Sequence, residues 1–259
     1  MAELRTDFED GVLTLLISNP GQRNALDPLM YAAGVEALAS AGSNADVRCI
    51  VLAGAGAHFC AGGNLRRLQE NRQQPAAAQE AAVSGLNNWV EAIATCPKPV
   101  IAAVEGAAAG AGFSLALACD LIVAAQDAVF AMAHSTVALS PDGGASWQLV
   151  RALPRQLASE LMLGGPRVSA QRLHELGVVN RVTETGAALP AALAWGRQLG
   201  QRAPNALASI KELLAEAPTN SLHEQLALER EHFVRNLHHA NAGEGIAAFL
   251  ERRDPDFQR

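Results

Sequence analysis

Over the first two-thirds of the chain, apolar residues come in short runs separated by turn-forming residues. Val12-Leu13-Thr14-Leu15-Leu16-Ile17 is such a run, and Asn19-Pro20-Gly21 closes it, which predicts a strand and a turn. Residues 28–41 predict a helix with Pro28 in its first turn. Residues 49–53 predict a second strand, ended by Gly54-Ala55-Gly56. Residues 79–95 have helical periodicity and stop ahead of Pro97. A third strand is predicted over Val100–Val104 and a helix over Ala111–Ala118, with two further strands at 121–124 and 128–132 and a helix at 145–153. Alternating strands and helices predict an α/β architecture with crossover connections. From about Leu189 the pattern is helical only, and Ser221-Leu222-His223-Glu224 matches a capping box at the start of a long amphipathic run. The expected division is a core over residues 1–190 and a helical C-terminal region over 191–259, packing on the core or on a neighbouring subunit. Gln73-Gln74-Pro75 points to a mobile loop within residues 71–82.

Composition fits one sizeable core. The chain has 259 residues, 49% hydrophobic and 18% charged, an ordinary globular balance. Aromatic residues make up 4%, so Ala, Val, Leu and Ile must fill the interior. A net charge of −6 argues against a nucleic-acid partner, and the pairs Arg66-Arg67 and Arg252-Arg253 make no basic stripe. Cys49, Cys60, Cys96 and Cys119 form no C-x-x-C and have no histidine at ligand spacing. Buried reduced thiols, no metal and a cytoplasmic location are the expectation. The acid-bearing N-terminus does not read as a signal peptide. Residues 100–125 are nearly all apolar, but Glu105 and Asp120 interrupt them and Gly106, Gly110 and Gly112 crowd the middle. A strand, a glycine turn and a buried helix explain that stretch better than a membrane span.

Two glycine segments carry the candidate chemistry. The first, Gly54-Ala55-Gly56-Ala57-His58-Phe59-Cys60-Ala61-Gly62-Gly63-Asn64-Leu65, follows a strand. A dinucleotide fingerprint needs glycine where Phe59 stands, and a P-loop needs Gly-Lys-Ser/Thr. What remains is a turn whose amides can converge at a helix start and hold an anion; an ordinary tight turn is the plain alternative. The second, Gly106-Ala107-Ala108-Ala109-Gly110-Ala111-Gly112-Phe113-Ser114-Leu115, also follows a strand and opens a helix. Its Gly112-Phe113-Ser114-Leu115-Ala116 falls one glycine short of a nucleophile elbow, leaving Ser114 as a small polar group in a cavity or on the helix surface.

In this order, some fifty residues apart, the two segments resemble the enoyl-CoA hydratase/isomerase (crotonase) superfamily. Phe59-Cys60-Ala61-Gly62-Gly63-Asn64-Leu65 is similar to its first oxyanion motif, and Lys98-Pro99-Val100-Ile101-Ala102-Ala103-Val104-Glu105-Gly106 to the strand before its second. Asn19-Pro20 with Arg23-Asn24-Ala25-Leu26, and Leu163-Gly164-Gly165 with Leu176-Gly177-Val178-Val179, extend the likeness over nearly the whole chain. The resemblance implies a spiral of ββα turns, a C-terminal helical trimerisation region, and homotrimers or paired trimers. It implies an acyl-coenzyme A thioester as substrate, with coenzyme A part of that substrate rather than a cofactor. It implies that the amides of Gly63 and Ala111 hold the thioester oxygen. The family usually has glycine where Ala111 stands; alanine serves unless the backbone needs positive φ there. Losing one such donor typically costs roughly 2.7–4 kcal/mol in the barrier.

A family hydratase uses two glutamates. Ser114 stands in the place of the first and His134 in that of the second, so ordinary hydration is in doubt, although His134 is a candidate base. A carboxylate stands elsewhere, in Ser140-Pro141-Asp142-Gly143-Gly144. From residue physics alone that run is a turn with Asp142 as a helix N-cap. The resemblance implies more, because family isomerases carry an active Asp at the matching position. The run with Trp147 looks most like the phenylacetate-pathway type. The expected activity is a double-bond shift in an enoyl-CoA with Asp142 as the single acid/base. Met132, Leu139 and Trp147 are candidates for an apolar surround, in which a carboxylate is the stronger base. His134 is equally a candidate for a structural role or a hydrogen bond to Asp142. Arg23 and Arg66 are expected at the coenzyme A phosphates, Ala25 and Ala61 at the adenine, and Asn64 and Leu65 beside the first amide. Asp142 as a nucleophile, Ser114–His134–Asp142 as a hydrolytic set, and a fold that binds coenzyme A thioesters without turnover are the remaining alternatives.

Overall fold

The computed structural model of the chain describes residues 2–257. Strands β1 (Glu3–Glu9) and β2 (Val12–Ser18) pair antiparallel through a turn at Asp10-Gly11, both at positive φ. A 3-10 turn at Pro20–Gln22 leads to α1 (Pro28–Ser43), capped by the Asp27 carboxylate accepting from the Leu29 amide. Next come β3 (Cys49–Gly54), α2 (Leu65–Asn71), α3 (Ala76–Thr95), β4 (Val100–Val104) and β5 (Ala107–Ala109). Then follow α4 (Ala111–Ala118), β6 (Leu121–Ala125), β7 (Val129–Ala131) and a 3-10 turn at Ala133–Val137. The chain continues through α5 (Ala145–Ala152), α6 (Arg155–Gly164), β8 (Val168–Ser169), α7 (Ala170–Glu175) and β9 (Arg181–Thr183). It closes with helices α8 (Ala188–Gly200), α9 (Pro204–Glu216), α10 (Leu222–Leu237) and α11 (Ala240–Glu251).

The strands form a six-stranded sheet in the order β1-β2-β3-β4-β6-β9 and a three-stranded sheet in the order β5-β7-β8. All neighbours in the large sheet are parallel except the edge pair β1–β2. Each coil of the chain adds a strand to the large sheet and then one to the small: β4 before β5, β6 before β7. The segment after β3 does the same in miniature, bridging Cys60 to Ala108. This is the ββα spiral that the motifs imply.

Both faces of the large sheet are covered, which is why β3 and β4 read as unbroken apolar runs rather than alternating ones. Ile50, Leu52, Val100 and Ala102 pack with Met30, Leu38, Trp89 and Ile93 of α1 and α3. The alternate residues Cys49, Val51, Ala53, Ile101 and Ala103 pack with Ala188 and Ala192 of α8. Glu105, one of the charges inside the apolar stretch, accepts from the Gly186 and Ala188 amides at 3.0 and 2.8 Å and so caps α8. The stretch is indeed strand, glycine turn and buried helix, and no helix among the described residues is long and apolar enough to cross a membrane.

Several expectations need correction. The helix expected from 79 begins at Ala76, so the presumed loop over 71–82 shrinks to residues 72–75. The strand expected at 128–132 is only Val129–Ala131, because the chain turns into the 3-10 segment at once. β1 and β5 were not anticipated at all. By contrast, the capping box is formed: Ser221 Oγ accepts from the Glu224 amide, and the Glu224 carboxylate accepts from the Ser221 amide at 2.8 Å.

Burial pushes the Cys49 and Cys60 thiols up to about 12 and also raises Cys96 and Cys119. The thiolate is the reactive form, so at about pH 8 the native protein is expected to resist iodoacetamide at all four positions. Intact-mass measurement should find four adducts only after denaturation; a fast native adduct would contradict this.

Asn24 pins the entry to the site. It is buried in the left-handed region at φ 58, and its amide donates to the carbonyls of Ala55 and His58 at 2.9 and 2.7 Å. Its Oδ1 accepts from the Asn19 amide at 2.9 Å. Asn24→Ala would leave three partners unmatched in a conformation that disfavours alanine, so a loss of about 3 kcal/mol is expected. A urea titration with unchanged slope would measure it; a loss below about 0.5 kcal/mol would show the network to be dispensable.

Candidate active site

The site is built where the two glycine segments are laid side by side. The Phe59 amide donates to the Glu105 carbonyl at 2.8 Å, Cys60 to Ala107 at 3.0 Å, and Ala109 back to Cys60 at 2.9 Å. This strip of parallel pairing sets the turn at 62–63 against the turn at 110–111. Missing side chains make the approach possible. A Cβ on Gly112 would stand 2.3 Å from the Cys60 carbonyl oxygen. One on Gly62, at φ +90, would stand 2.6 Å from the Ala109 oxygen and 3.4 Å from the Ala111 nitrogen. Ala111 opens α4, where first-turn amides have no intrahelical acceptor. The positive φ falls on Gly110, at 51°, and not on Ala111, so alanine is unstrained there.

Asp142 stands next to this corner. It does not cap α5: Gly144 takes that position, at φ 75, without a side-chain cap. The carboxylate instead meets His134, with Oδ1 to Nε2 at 3.1 Å. The 3-10 turn after β7 carries the imidazole inward, where the side chain is 9% exposed, whereas the Asp142 side chain keeps 32%. Gly110 faces the imidazole: a Cβ there would lie 3.6 Å from Cε1 and from Nε2. The fully buried Ser114 donates through Oγ to the main-chain carbonyl of Asp142 at 2.9 Å. That hydroxyl holds the loop and does not engage His134, so the hydrolytic Ser–His–Asp order is not formed. Beneath the loop, α3 supplies Leu86 against Gly143 and Val90 against Gly144.

The other sequence candidates fall into two groups. Arg23, Leu65 and Arg66 are exposed around the first turn. Asn64 caps α2 by accepting from the Arg66 and Arg67 amides at 3.1 and 3.3 Å. The Ala61 amide donates to the Arg23 carbonyl at 3.0 Å, and the Ala25 carbonyl accepts from Asn19 Nδ2 at 2.9 Å. The apolar surround differs from expectation. Met132 lies in the main core, but Leu139 and Trp147 are about half exposed in the single chain, and Arg151 stacks on the Trp147 ring at 3.8 Å. Arg151 follows Trp147 by one helical turn on α5, which brings the guanidinium over the ring.

Tyr31 is a neighbour that its sequence context did not single out. It sits on α1, buried against Gly85 and Trp89 of α3. Burial chiefly pushes its phenol up to about 12; the Arg67 charge opposes this and the Asp142 charge adds to it. At neutral pH it is therefore an uncharged hydroxyl within reach of the Asp142 field. Among the described residues no cluster of His, Cys, Asp or Glu could hold a metal ion.

Comparison with known proteins places this geometry. The family model for enoyl-CoA hydratase/isomerase matches residues 7–259. The 1,2-epoxyphenylacetyl-CoA isomerase of Escherichia coli K12 is 38% identical over 99% of this chain and 98% of its own. The 2,3-dehydroadipyl-CoA hydratase of the same organism is 33% identical over 100% and 99%. The crystal structure of an enoyl-CoA hydratase from Polaromonas sp. JS666 superposes with a TM-score of 0.97 at 62% identity, covering 98% of this chain and 99% of that one. With its spiral fold and its paired glycine turns, the chain belongs to the enoyl-CoA hydratase/isomerase family.

Proposed function

We propose that the protein is an enoyl-CoA isomerase in which Asp142 moves the proton and the amides of Gly63 and Ala111 hold the enolate. The observation that carries this is the position of Asp142. Its carboxylate meets His134 at 3.1 Å, and that imidazole lies against Gly110 of the second glycine turn, while the family resemblance puts Ser114 and His134 in the places of the two hydratase glutamates. In a 3-enoyl-CoA, Asp142 takes a proton from C2 and the C–H electron pair moves toward the thioester oxygen. The two amides receive that negative charge as it forms. The electrons then return, the double bond shifts from C3–C4 to C2–C3, and Asp142 delivers the proton to C4. One carboxylate serves both carbons when they lie on one face of a fixed substrate. The sum is an isomerisation, with no water added and no cofactor needed.

Arg23 and Arg66 are the proposed phosphate contacts, with Ala25 and Ala61 offering backbone atoms to the adenine and Asn64 and Leu65 framing the Gly63 amide. Leu139 and Trp147 would join Met132 at the acyl side once a second copy covers them. Exposed Leu226, Phe233, Phe249 and Leu250 on α10 and α11 support such an assembly, a homotrimer or a pair of trimers. The likeness to the Escherichia coli isomerase supports the main reading. The likeness to the dehydroadipyl-CoA hydratase supports a second reading, hydration of a 2-enoyl-CoA.

Side-by-side assays of a 3-enoyl-CoA and a 2-enoyl-CoA distinguish them. The 3-enoyl substrate is expected to become its 2-enoyl isomer without uptake of solvent oxygen. Hydration of the 2-enoyl substrate with no isomerisation would overturn the proposal.

A further inference from the structure

His134 has one polar partner at one ring nitrogen and none at the other. Nε2 meets Asp142 Oδ1 at 3.1 Å. Nδ1 is buried with no hydrogen-bond partner. Three protonation patterns are compatible with a hydrogen bond at Nε2. A doubly protonated ring would seal an N–H at Nδ1 away from any acceptor. A neutral ring with its proton on Nδ1, receiving a proton from a neutral Asp142, would do the same. Only the neutral ring protonated at Nε2 leaves a lone pair, rather than an N–H, without a partner. Orphaned buried N–H groups are rare, and under-satisfied acceptors are better tolerated. The sealed position also denies Nδ1 a route to substrate, because that nitrogen is itself buried and the side chain as a whole is only 9% exposed.

We infer that His134 is a positioning residue, a neutral Nε2–H donor that fixes Oδ1 of Asp142 and leaves Oδ2 to the substrate, and that it does not act as a base. Its basic lone pair points into the protein. Asp142 is thereby held from two directions: the imidazole clamps the side chain, and Ser114 donates to the Asp142 main-chain carbonyl at 2.9 Å. Both clamps belong to the neighbourhood of the 110–111 turn, so the acid and the amide that receives the charge are set relative to each other. A misplacement of about 1 Å in such an arrangement can cost about 100-fold in rate. The role of Asp142 in this inference rests on the isomerase reading above; the tautomer of His134 does not.

The test has two parts. In the full-length wild-type protein at neutral pH, nitrogen-15 NMR of the histidine ring should show His134 protonated at Nε2 and bare at Nδ1. A proton at Nδ1, alone or in addition, would overturn the inference. In kinetics, His134→Phe is expected to lower kcat on a 3-enoyl-CoA by about 10- to 100-fold with KM nearly unchanged. His134→Gln places an N–H near the position of Nε2 and is expected to recover most of that loss. A Gln variant as slow as the Phe variant, or a Phe variant as fast as wild type, would overturn the positioning role. Should Asp142→Asn keep full activity while the tautomer is as stated, the isomerase reading fails and the tautomer assignment stands. If the Phe variant does not fold, the NMR measurement on wild type still decides.

Discussion

Asp142→Asn is expected to lower kcat on a 3-enoyl-CoA by about 10²–10⁴-fold, the usual range for loss of a positioned acid/base. The thioester should bind within a few-fold of its wild-type affinity. The substitution is nearly isosteric, and its surroundings should survive it. Oδ1 of Asn can still accept from His134, and the Ser114 contact is to the main chain. What disappears is the capacity to carry a proton from C2 to C4. Circular dichroism and a urea midpoint close to wild type would separate lost chemistry from lost fold. A variant that still isomerises the substrate at more than a tenth of the wild-type rate would remove Asp142 from the mechanism. Hydration of a 2-enoyl-CoA that persists in the variant would turn attention to a base not yet identified, since the His134 lone pair is sealed.

Gly112→Ala is the second large expectation, and it addresses the backbone rather than a side chain. The added Cβ would lie 2.3 Å from the Cys60 oxygen, 2.8 Å from the Cys60 Cβ and 2.9 Å from the Cys60 carbonyl carbon. Two of those three atoms are main chain, so no rotamer change relieves the contact. The two turns must separate, and the Gly63 and Ala111 amides with them. We expect a loss of about 3 kcal/mol in stability from overpacking. We further expect a fall in kcat of about 10²–10³-fold from the misaligned donor. Gly21→Ala is the control: nothing lies within 4 Å of a Cβ there, and its φ is ordinary, so both quantities should be near wild type. A Gly112→Ala protein with full activity would mean that the amides of the two turns do not act together.

The turns themselves were legible because glycine spacing after a strand reports directly on backbone geometry. β3, β4 and α4 were equally plain, since burial on all sides leaves uninterrupted apolar sequence. β1 was hidden for the opposite reason. Its seven residues are almost all exposed, and the alternation in Glu3-Leu4-Arg5-Thr6-Asp7-Phe8-Glu9 sets only two apolar side chains, Leu4 and Phe8, between charged ones, a weak signal beside the unbroken apolar runs of the core. β5 was masked by lying inside a glycine segment that reads as a turn. Asp142 was visible as a carboxylate in a turn, but its plain reading as a helix cap was displaced by two residues, because Gly144 takes the cap. The meeting of Asp142 with His134 depends on the 3-10 turn at Ala133–Val137 and on Ala138 at φ 58, a conformation alanine rarely adopts and one that no local pattern announces. Tyr31 reaches the site from a helix more than a hundred residues earlier, and only the packing of α1 on α3 brings it there.

The strip of pairing between residues 59–60 and 105–109 has a consequence for how such a protein can diverge. The groups that would receive the charge belong to the peptide backbone and have no side chain that a point mutation can exchange. The groups that would move protons sit on a separate loop, 134–142, joined to that strip by one imidazole and one hydroxyl. Side chains on α4 and on the loop, at positions such as Ser114, His134 and Asp142, can therefore change while the receptor for negative charge stays as it is. A lineage built this way can change its reaction by editing a few codons in two short segments, without having to reinvent the harder half of the catalyst.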